Sequence, residues 1–136
     1  MPNAPTPNLG LTVPTVGSDI NTWGNELNND LAILDTLAIS PIINVSSSYA
    51  ATVTNQVEQF IRVTTGALVQ TITLPNPAIC PGKIFNVKKV DSGLGSVSIV
   101  PAAGTIDGQA SWLRNNQYSY VRVASNGVSY DVWGNN

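Results

Sequence analysis

Histidine is absent from this chain of 136 residues, and cysteine occurs once, at Cys80. Without histidine there is no Ser-His-Asp triad and no Cys-His pair, so the commonest forms of nucleophilic catalysis are excluded. A single cysteine forms no disulfide within the chain, and the sequence offers no set of zinc ligands. We therefore expect no disulfide framework, no metal centre and no cofactor, in a protein made in a reducing cytoplasm.

Charged residues are also scarce, at 10% of the chain, against roughly 25% in soluble globular domains. The chain has six Lys and Arg residues and a net charge of -2. This balance argues against electrostatic binding of nucleic acid or of anionic membranes. A surface of low charge suits a chain that buries much of its area against partners, or one that presents a polar exterior.

Long apolar runs are missing as well, because no stretch approaches the roughly 18 residues of a membrane span. The first residues, Met-Pro-Asn-Ala-Pro-Thr-Pro, lack the basic start and the apolar core of a signal peptide. We expect neither membrane insertion nor a cleaved leader. The sequence does contain a proline-rich start, one amphipathic segment and a long region of alternating polar and apolar residues.

Residues 1–17 form the proline-rich start. Proline lacks the amide donor and biases the residue before it toward extended geometry, so we predict an extended arm. Leu9, Leu11 and Val13 give this arm alternating apolar side chains. Two interpretations are open: an arm without fixed structure in isolation, or an arm that lies along a partner surface.

Residues 18–40 contain the one sustained helical period of the sequence. Apolar residues recur there at spacings of three and four, which places them on one stripe of a helix. The stripe consists of Ile20, Trp23, Leu27, Leu31, Leu34 and Ala38. Ser18 is a candidate N-cap, and Ser40 precedes Pro41, which disfavours helical geometry. A helix this short needs to pack against the rest of the chain or against copies of itself.

Residues 41–136 alternate between polar and apolar side chains, are rich in β-branched residues, and contain turn residues at intervals of roughly 8 to 12 positions. We predict a mainly β fold, in which the arm and one short helix precede a small antiparallel β-sandwich or barrel. Hairpin turns are expected at residues 92–95 and 125–127. No internal repeat of fixed period is visible. The predicted strands are 42–45, 49–53, 59–64, 69–74, 83–90, 97–100, 111–113, 118–124 and 128–133.

Residues with catalytic potential are scattered along the chain. Cys80 has no obvious activator, so a packed thiol is the favoured interpretation. Asp91, Asp107 and Asp131 fall at strand ends, where Asp is a common turn residue. Two alternatives stay open: a glycan-cleaving pair of carboxylates roughly 5 to 9.5 Å apart, and a Ca²⁺ site that includes Asp107. The dispersed basic residues are expected on solvated faces or at an interface: Arg62, Lys88, Lys89, Arg114 and Arg122.

Aromatic residues crowd the end of the chain, at Trp112, Tyr118, Tyr120, Tyr130 and Trp133. Some are expected to close the core, and for Trp133 we favour that interpretation. Tyr118 and Tyr120 should share one face of a strand, so both are expected to be buried or both exposed. With Trp112, they form the candidate exposed surface for binding a sugar or a partner.

Two passages of the chain resemble virion structural proteins of tailed bacteriophages. The first runs through Pro7-Asn8-Leu9-Gly10-Leu11, residues 16–19, Thr22-Trp23-Gly24 and Leu27-Asn28-Asn29-Asp30. It is similar to the N-terminal stretch of many phage fibre proteins, in which an extended arm leads into a Trp-Gly-containing helix. The second passage is similar to a compact β domain of phage tail fibres, and it comprises residues 69–75, 81–84, 87–91, 96–99, 105–108, 118–123 and 127–133.

This resemblance implies a non-enzymatic component of the virion, on tail, neck or capsid, and typically a homotrimer. The arm and the helix would dock a short fibre to other virion proteins, and the β knob would contact the host surface or its glycans. The alternative is a trimeric capsid decoration (cement) protein that clamps neighbouring coat subunits, and a glycan-cleaving enzyme is a further one. The expected docking and trimer-interface residues are Leu9, Leu11, Val13, Ile20, Trp23, Leu27, Leu31 and Leu34.

Overall fold

The computed structural model describes Leu11 and residues 22–136. The chain divides into two compact units, Met1–Ile39 and Ser40–Asn136. Within the described residues, the first unit contains one helix and the second contains nine strands. A mainly β chain with one short helix is therefore confirmed. Most of the predicted arm lies outside the described residues, as do the predicted docking residues Leu9, Val13 and Ile20.

The helix α1 spans Trp23–Leu37 and lies within the predicted segment. The carbonyl of Thr22 accepts hydrogen bonds from the amides of Asn25 at 3.0 Å and Glu26 at 3.1 Å, which starts the helical ladder. After Leu37, the amide of Ala38 bonds to the carbonyl of Asp35 at 3.2 Å and ends the helix in a tighter turn. Pro41 follows closely, in agreement with the predicted end.

The nine strands of the second unit form two sheets. In spatial order, the five-stranded sheet consists of β1 (Ile42–Val45), β3 (Glu58–Val63), β5 (Ile84–Lys89), β8 (Tyr120–Ser125) and β9 (Tyr130–Asn135). The four-stranded sheet consists of β2 (Tyr49–Ala50), β4 (Gln70–Leu74), β6 (Val97–Pro101) and β7 (Trp112–Arg114). One short 3-10 helix, Pro77–Ile79, connects β4 to β5.

From β1 to β6 the chain crosses between the two sheets at every strand. Strands that are neighbours in a sheet are therefore parallel, in the order β1, β3, β5 and in the order β2, β4, β6. Each successive pair of strands makes one coil, and each coil stacks on the one before it. Among the described strands, antiparallel pairing joins β5 to β8, β8 to β9 and β6 to β7. The predicted antiparallel arrangement is thus wrong for the pairing among the first six strands and correct for the strands that follow, and the two sheets do not close into a barrel.

The two hairpin predictions have opposite outcomes. The turn at residues 125–127 joins antiparallel β8 and β9, so that hairpin is confirmed. In it, the side-chain oxygen of Asn126 accepts hydrogen bonds from the amides of Val128 at 3.0 Å and Ser129 at 2.8 Å. The turn at residues 92–95 instead carries the chain from β5 in one sheet to β6 in the other, so that hairpin prediction is wrong. Gly and Ser mark a change of direction in both turns, and they do not specify which strand will pair with which.

Both sheets bury one face against a shared apolar cluster. Alternate residues of each strand point inward, as the period of two requires. The fully or nearly fully buried residues of this core are Ala51, Ile61, Val63, Ile72, Leu74, Cys80, Phe85, Val87, Val97, Ile99, Ile106, Val121, Val123 and Tyr130. All of them belong to the second unit, so the β sandwich has a complete core of its own.

Turns of successive coils stack closely at one end of the sandwich. The amide of Gly95 donates to the carbonyl of Gly66 at 2.9 Å, and the hydroxyl of Thr65 donates to the carbonyl of Gly95 at 3.2 Å. A Cβ added at Gly95 would overlap the carbonyl oxygen of Leu68, and one at Gly93 would overlap that of Gly66. Glycine is therefore required here, because backbone meets backbone with no room for a side chain.

Gly95→Ala is expected to lower the free energy of unfolding by about 3 kcal/mol, because the added methyl group pushes two coils apart. Urea unfolding followed by circular dichroism measures the change. Gly24→Ala in α1 is the matched control, since a Cβ there meets nothing within 4 Å and alanine favours a helix by about 1 kcal/mol over glycine. Equal stability of Gly95→Ala and the parent protein would contradict the stacking described above.

Candidate functional site

The helix α1 presents an exposed apolar stripe. None of its residues is buried, and Trp23, Leu27, Leu31 and Leu34 have exposed fractions of 63%, 48%, 52% and 43%. These four residues of the predicted stripe thus lie on the helix that the structure contains, and their side chains are accessible to solvent. Leu11, the one apolar residue of the predicted arm that the structure describes, is half-buried. An accessible row of large apolar side chains is typical of a surface that associates with a partner.

Charge is divided unevenly between the two units. The first unit carries four carboxylates and no basic residue, whereas all six basic residues belong to the second unit. The carboxylates of the first unit are Asp19, Glu26, Asp30 and Asp35. The net charge of -2 is therefore the sum of an acidic first unit and a basic second unit, which we call the β unit.

The outer face of the five-stranded sheet contains a shallow depression of about 390 Å³. Its lining combines apolar, aromatic and basic side chains, namely Ile42, Phe60, Ile61, Arg62, Asn86, Lys88 and Tyr120. Ile42 and Phe60 are direct partners across β1 and β3, and both side chains are exposed. We call this feature the outer depression.

Two cations from neighbouring strands line the outer depression. Arg62 and Lys88 are direct partners across β3 and β5, on strands that lie about 4.8 Å apart in a sheet. The guanidinium of Arg62 donates to the side-chain oxygen of Asn44 at 3.3 Å, and the ammonium of Lys88 lies 5.5 Å from the ring centroid of Tyr118. Neither cation forms an ion pair with the residues that the structure describes.

A neighbouring cation on the same face is compensated. Arg122 pairs with the carboxylate of Glu58 at 3.2 Å. The side-chain amide of Asn86 donates to the same carboxylate at 2.7 Å. Glu58 therefore neutralises one end of the outer face, and the positive charge concentrates at Arg62 and Lys88.

The three aromatic residues predicted to form a binding surface are separated. Trp112 is paired with Ile99 and packs half-buried against the core, so it does not belong to an exposed surface. Tyr118 is exposed at 58%, and Tyr120 is half-buried, in register with Lys88. Tyr118 and Tyr120 thus both lie beside Lys88, and Tyr120 alone of the three predicted aromatic residues lines the outer depression.

The reason for this division is the start of strand β8. The predicted strand begins at residue 118, but Tyr118 has a φ of 63° and belongs to the preceding turn, and β8 begins at Tyr120. The preference for Trp133 in the core is also wrong, since its exposed fraction is 73%. Tyr130 and Val132 face the core, so the period of two places Trp133 on the opposite face. The register shift between Arg122 and Val123 leaves Trp133 without a register partner on β8.

Lys89 is fully buried, which corrects the expectation that it lies on a solvated face or at an interface. Its ammonium donates to the carbonyl of Asp91 at 2.7 Å, to the carboxylate of Asp91 at 3.1 Å and to the carbonyl of Gly93 at 2.9 Å. These three acceptors satisfy its three donors. The group therefore has a structural role and is not a free nucleophile or base.

Asp91 connects this lysine to the preceding coil. Its carboxylate accepts hydrogen bonds from the amides of Thr65 at 3.0 Å and Gly66 at 2.8 Å. The bond from the Thr65 amide, followed by those from Gly66 and Lys89, holds the pKa of the Asp91 carboxyl well below its usual range, although partial burial opposes the shift. The prediction of Asp91 as a turn residue is confirmed.

Cys80 is a buried thiol, as predicted. Its sulfur lies 3.3 Å from the hydroxyl of Tyr130, and that hydroxyl donates to the carbonyl of Pro75 at 2.9 Å. Burial raises the pKa of Tyr130, and its hydrogen bond with Cys80 acts in the same direction. This pair anchors the loop after β4 to the last strand and offers no accessible reactive group.

Asp107 lies in a turn, as expected, whereas Asp131 is the second residue of β9, close to the strand end where it was expected. A carboxylate oxygen of Asp107 accepts a hydrogen bond from the amide of Val132 at 3.0 Å, and Asp131 accepts one from the side-chain amide of Asn126 at 2.9 Å. Asp107 has a φ of 46° and Gly108 one of 78°, so the two form a tight turn. Over the described residues, no group of three or more His, Cys, Asp or Glu side chains is placed to hold a metal ion.

Comparisons with protein families, curated proteins and solved structures find no match to this chain. Any functional assignment is therefore based on the residues and their geometry. Two surfaces carry that assignment, the exposed stripe of α1 and the outer depression of the five-stranded sheet. No helix among the described residues is long and apolar enough to cross a membrane.

Asp91→Asn is expected to lower the free energy of unfolding at pH 7 by about 3 kcal/mol, because it leaves the buried ammonium of Lys89 without its counter-charge. The parent protein should also lose stability as the pH falls below about 4, since the Asp91 carboxyl titrates near 3.8 in the unfolded chain and lower in the folded one. This contribution is complete above that pH and declines as the pH falls toward the folded value.

Urea unfolding at pH 7 and at pH 3 measures both effects. The variant lacks the Asp91 component, so its stability should change less between the two pH values than that of the parent protein. Asp131→Asn is the matched control and should behave like the parent. An unchanged pH dependence in Asp91→Asn would contradict the structural role given to this carboxylate.

Proposed function

We propose that this protein is a non-enzymatic structural component of a tailed-phage virion, a short trimeric fibre. In this proposal, the N-terminal arm and α1 attach the fibre to other virion proteins. The β unit is the exposed knob and contacts the host surface. The protein is made in the host cytoplasm and acts in the virion.

The exposed stripe of α1 is the observation that carries this proposal. A helix of 15 residues is marginal in water without a partner for its apolar face. Three copies in a short parallel bundle would bury Leu27, Leu31 and Leu34 against each other. Burying a half-exposed leucine contributes on the order of 1 kcal/mol to the free energy of association. A trimer contains three copies of each such residue.

The β unit supports the proposal in a different way. Its core is complete within its own residues, and the potentially reactive side chains Lys89, Cys80 and Asp91 are engaged in structural hydrogen bonds. A self-sufficient and chemically inert domain suits an exposed knob. The resemblance of residues 69–133 to a tail-fibre β domain is consistent with that role.

A capsid decoration protein is the second candidate. Large apolar side chains are exposed in several loops of the β unit, with Leu94, Val128 and Leu68 among the most accessible. Exposed apolar residues spread over several loops would suit a protein clamped between coat subunits. In that case the same trimer would stabilise the capsid and take no part in adsorption.

The double variant Leu27→Asp/Leu31→Asp is expected to be monomeric, because it places carboxylates in the centre of the proposed bundle. Light scattering on the purified full-length protein measures the mass. Asn25→Asp/Asn28→Asp is the matched control, since it adds the same charges to α1 away from the stripe, and it should remain trimeric. A trimeric Leu27→Asp/Leu31→Asp protein would exclude α1 from the assembly.

Deletion of residues 1–40 is expected to leave a folded β unit that no longer joins the particle. Circular dichroism tests the fold, and immunoblotting of purified virions tests incorporation. Normal incorporation of the truncated protein would contradict the proposal that the arm and α1 dock the protein to the virion. Virions without the protein separate the two candidates: loss of a fibre impairs adsorption and leaves the capsid intact, whereas loss of a cement protein reduces the resistance of the capsid to heat.

A further inference from the structure

Arg62 and Lys88 stand out among the basic residues of the β unit. Lys89 and Arg122 have carboxylate partners. Lys83 donates to the carbonyl of Gln56 at 2.8 Å, and Arg114 donates to that of Tyr120 at 2.9 Å. Arg62 and Lys88 are register partners that both line the outer depression. Arg62 contacts the side-chain oxygen of Asn44 and Lys88 the ring of Tyr118, and no carboxylate binds either of them within the described chain. An anion bound by both side chains would neutralise this positive charge.

The walls around the two cations are apolar and aromatic. Phe60 precedes Arg62 by two residues, so both side chains are on the outward face of β3. Tyr120 is paired with Lys88 on the other side. The side chain of Asn86, the register partner of Phe60, lies between these walls as a polar group. The volume of about 390 Å³ falls in the range of small-ligand sites.

We propose that the outer depression binds a sugar residue that carries a carboxylate, as part of an acidic polysaccharide. The carboxylate lies between Lys88 and Arg62, whose planar guanidinium suits a bidentate contact with it. The C–H face of the sugar ring packs on Phe60 and Tyr120, and Asn86 bonds to a hydroxyl group. The inference rests on the proposed function only in taking the host surface as the source of the polysaccharide.

The acidic helix of a second copy is the competing occupant. It offers carboxylates and an apolar stripe, and both would complement this face. A helix of 15 residues is, however, about 10 Å wide and about 22 Å long, which is far larger than a depression that holds one or two sugar rings. Its stripe is also already used in the proposed trimer bundle.

Calorimetric titration of the full-length protein with a galacturonate trisaccharide tests the proposal. The neutral galactose trisaccharide of the same linkage should bind at least tenfold more weakly. Arg62→Gln and Lys88→Gln should each weaken binding of the acidic sugar roughly tenfold, as expected for loss of a charge-assisted hydrogen bond. Arg62→Lys/Lys88→Arg keeps the charge and should retain most of the affinity.

Lys83→Gln is the matched control, because it removes one positive charge from the β unit, and neither Lys83 nor the carbonyls of Asn55 and Gln56 that it binds line the outer depression. It should change affinity less than threefold. Equal binding of the acidic and neutral trisaccharides, or full binding by Arg62→Gln/Lys88→Gln, would overturn the proposal. A smaller oligomer for that double variant in light scattering would overturn it too, since the face would then be an interface between copies.

Incorporation into virions separates this inference from the proposed function. The variants leave the arm and α1 unchanged, so they should be incorporated normally and should fold as judged by circular dichroism. A parent protein that is present on virions but binds no acidic sugar overturns the sugar site alone. A parent protein that is absent from virions overturns the proposed function, whatever it binds.

Discussion

The carboxylate of Asp91, paired with the buried ammonium of Lys89, joins two successive coils of the β unit. Asp91 follows β5 and accepts hydrogen bonds from the backbone of Thr65 and Gly66, which follow β3. The bonds hold the two crossing turns in contact, and the register of β3 on β5 depends on that contact. The outer depression depends on this register, because only here is Arg62 the neighbour of Lys88. The buried ion pair of Lys89 and Asp91 thus fixes the positions of Arg62 and Lys88 on the outer face, where neither forms an ion pair with the described residues.

Local sequence pattern predicted the elements well and their pairing poorly. The helix, the strands and the hairpin at residues 125–127 followed from periodicity and turn residues. Parallel and antiparallel strands share the same period of two, so strand direction could not be derived from alternation. The coils also differ in length: the register pairs Ile42 with Phe60 and Gln70 with Val97, which are 18 and 27 residues apart. No fixed repeat was therefore visible.

The candidate site was partly readable from the sequence. Phe60 and Arg62 are two residues apart, so their side chains lie on the same face of β3. Lys88 and Lys89 are consecutive, so their side chains must point to opposite faces of a strand. One of the two lysines therefore has to lie on the inner face, and Asp91, two residues after Lys89, is its natural partner. The lateral neighbours of Arg62 could not be found this way, because Ile42, Asn86 and Tyr120 reach the outer depression only through pairing between distant strands. Trp112 was misassigned for the same reason, since its neighbour Ile99 belongs to the core.

The ends of the coil stack limit how this protein can associate. A stack of parallel coils offers unpaired backbone groups at both ends, and identical stacks can in principle join end to end into filaments. Here the first coil is short, with four residues in β1 and two in β2. The other end is occupied by the antiparallel strands β7 and β9, which reverse the chain direction. Both features oppose the addition of further parallel coils at the ends of the stack, in a protein that is rich in β-strands and poor in charge.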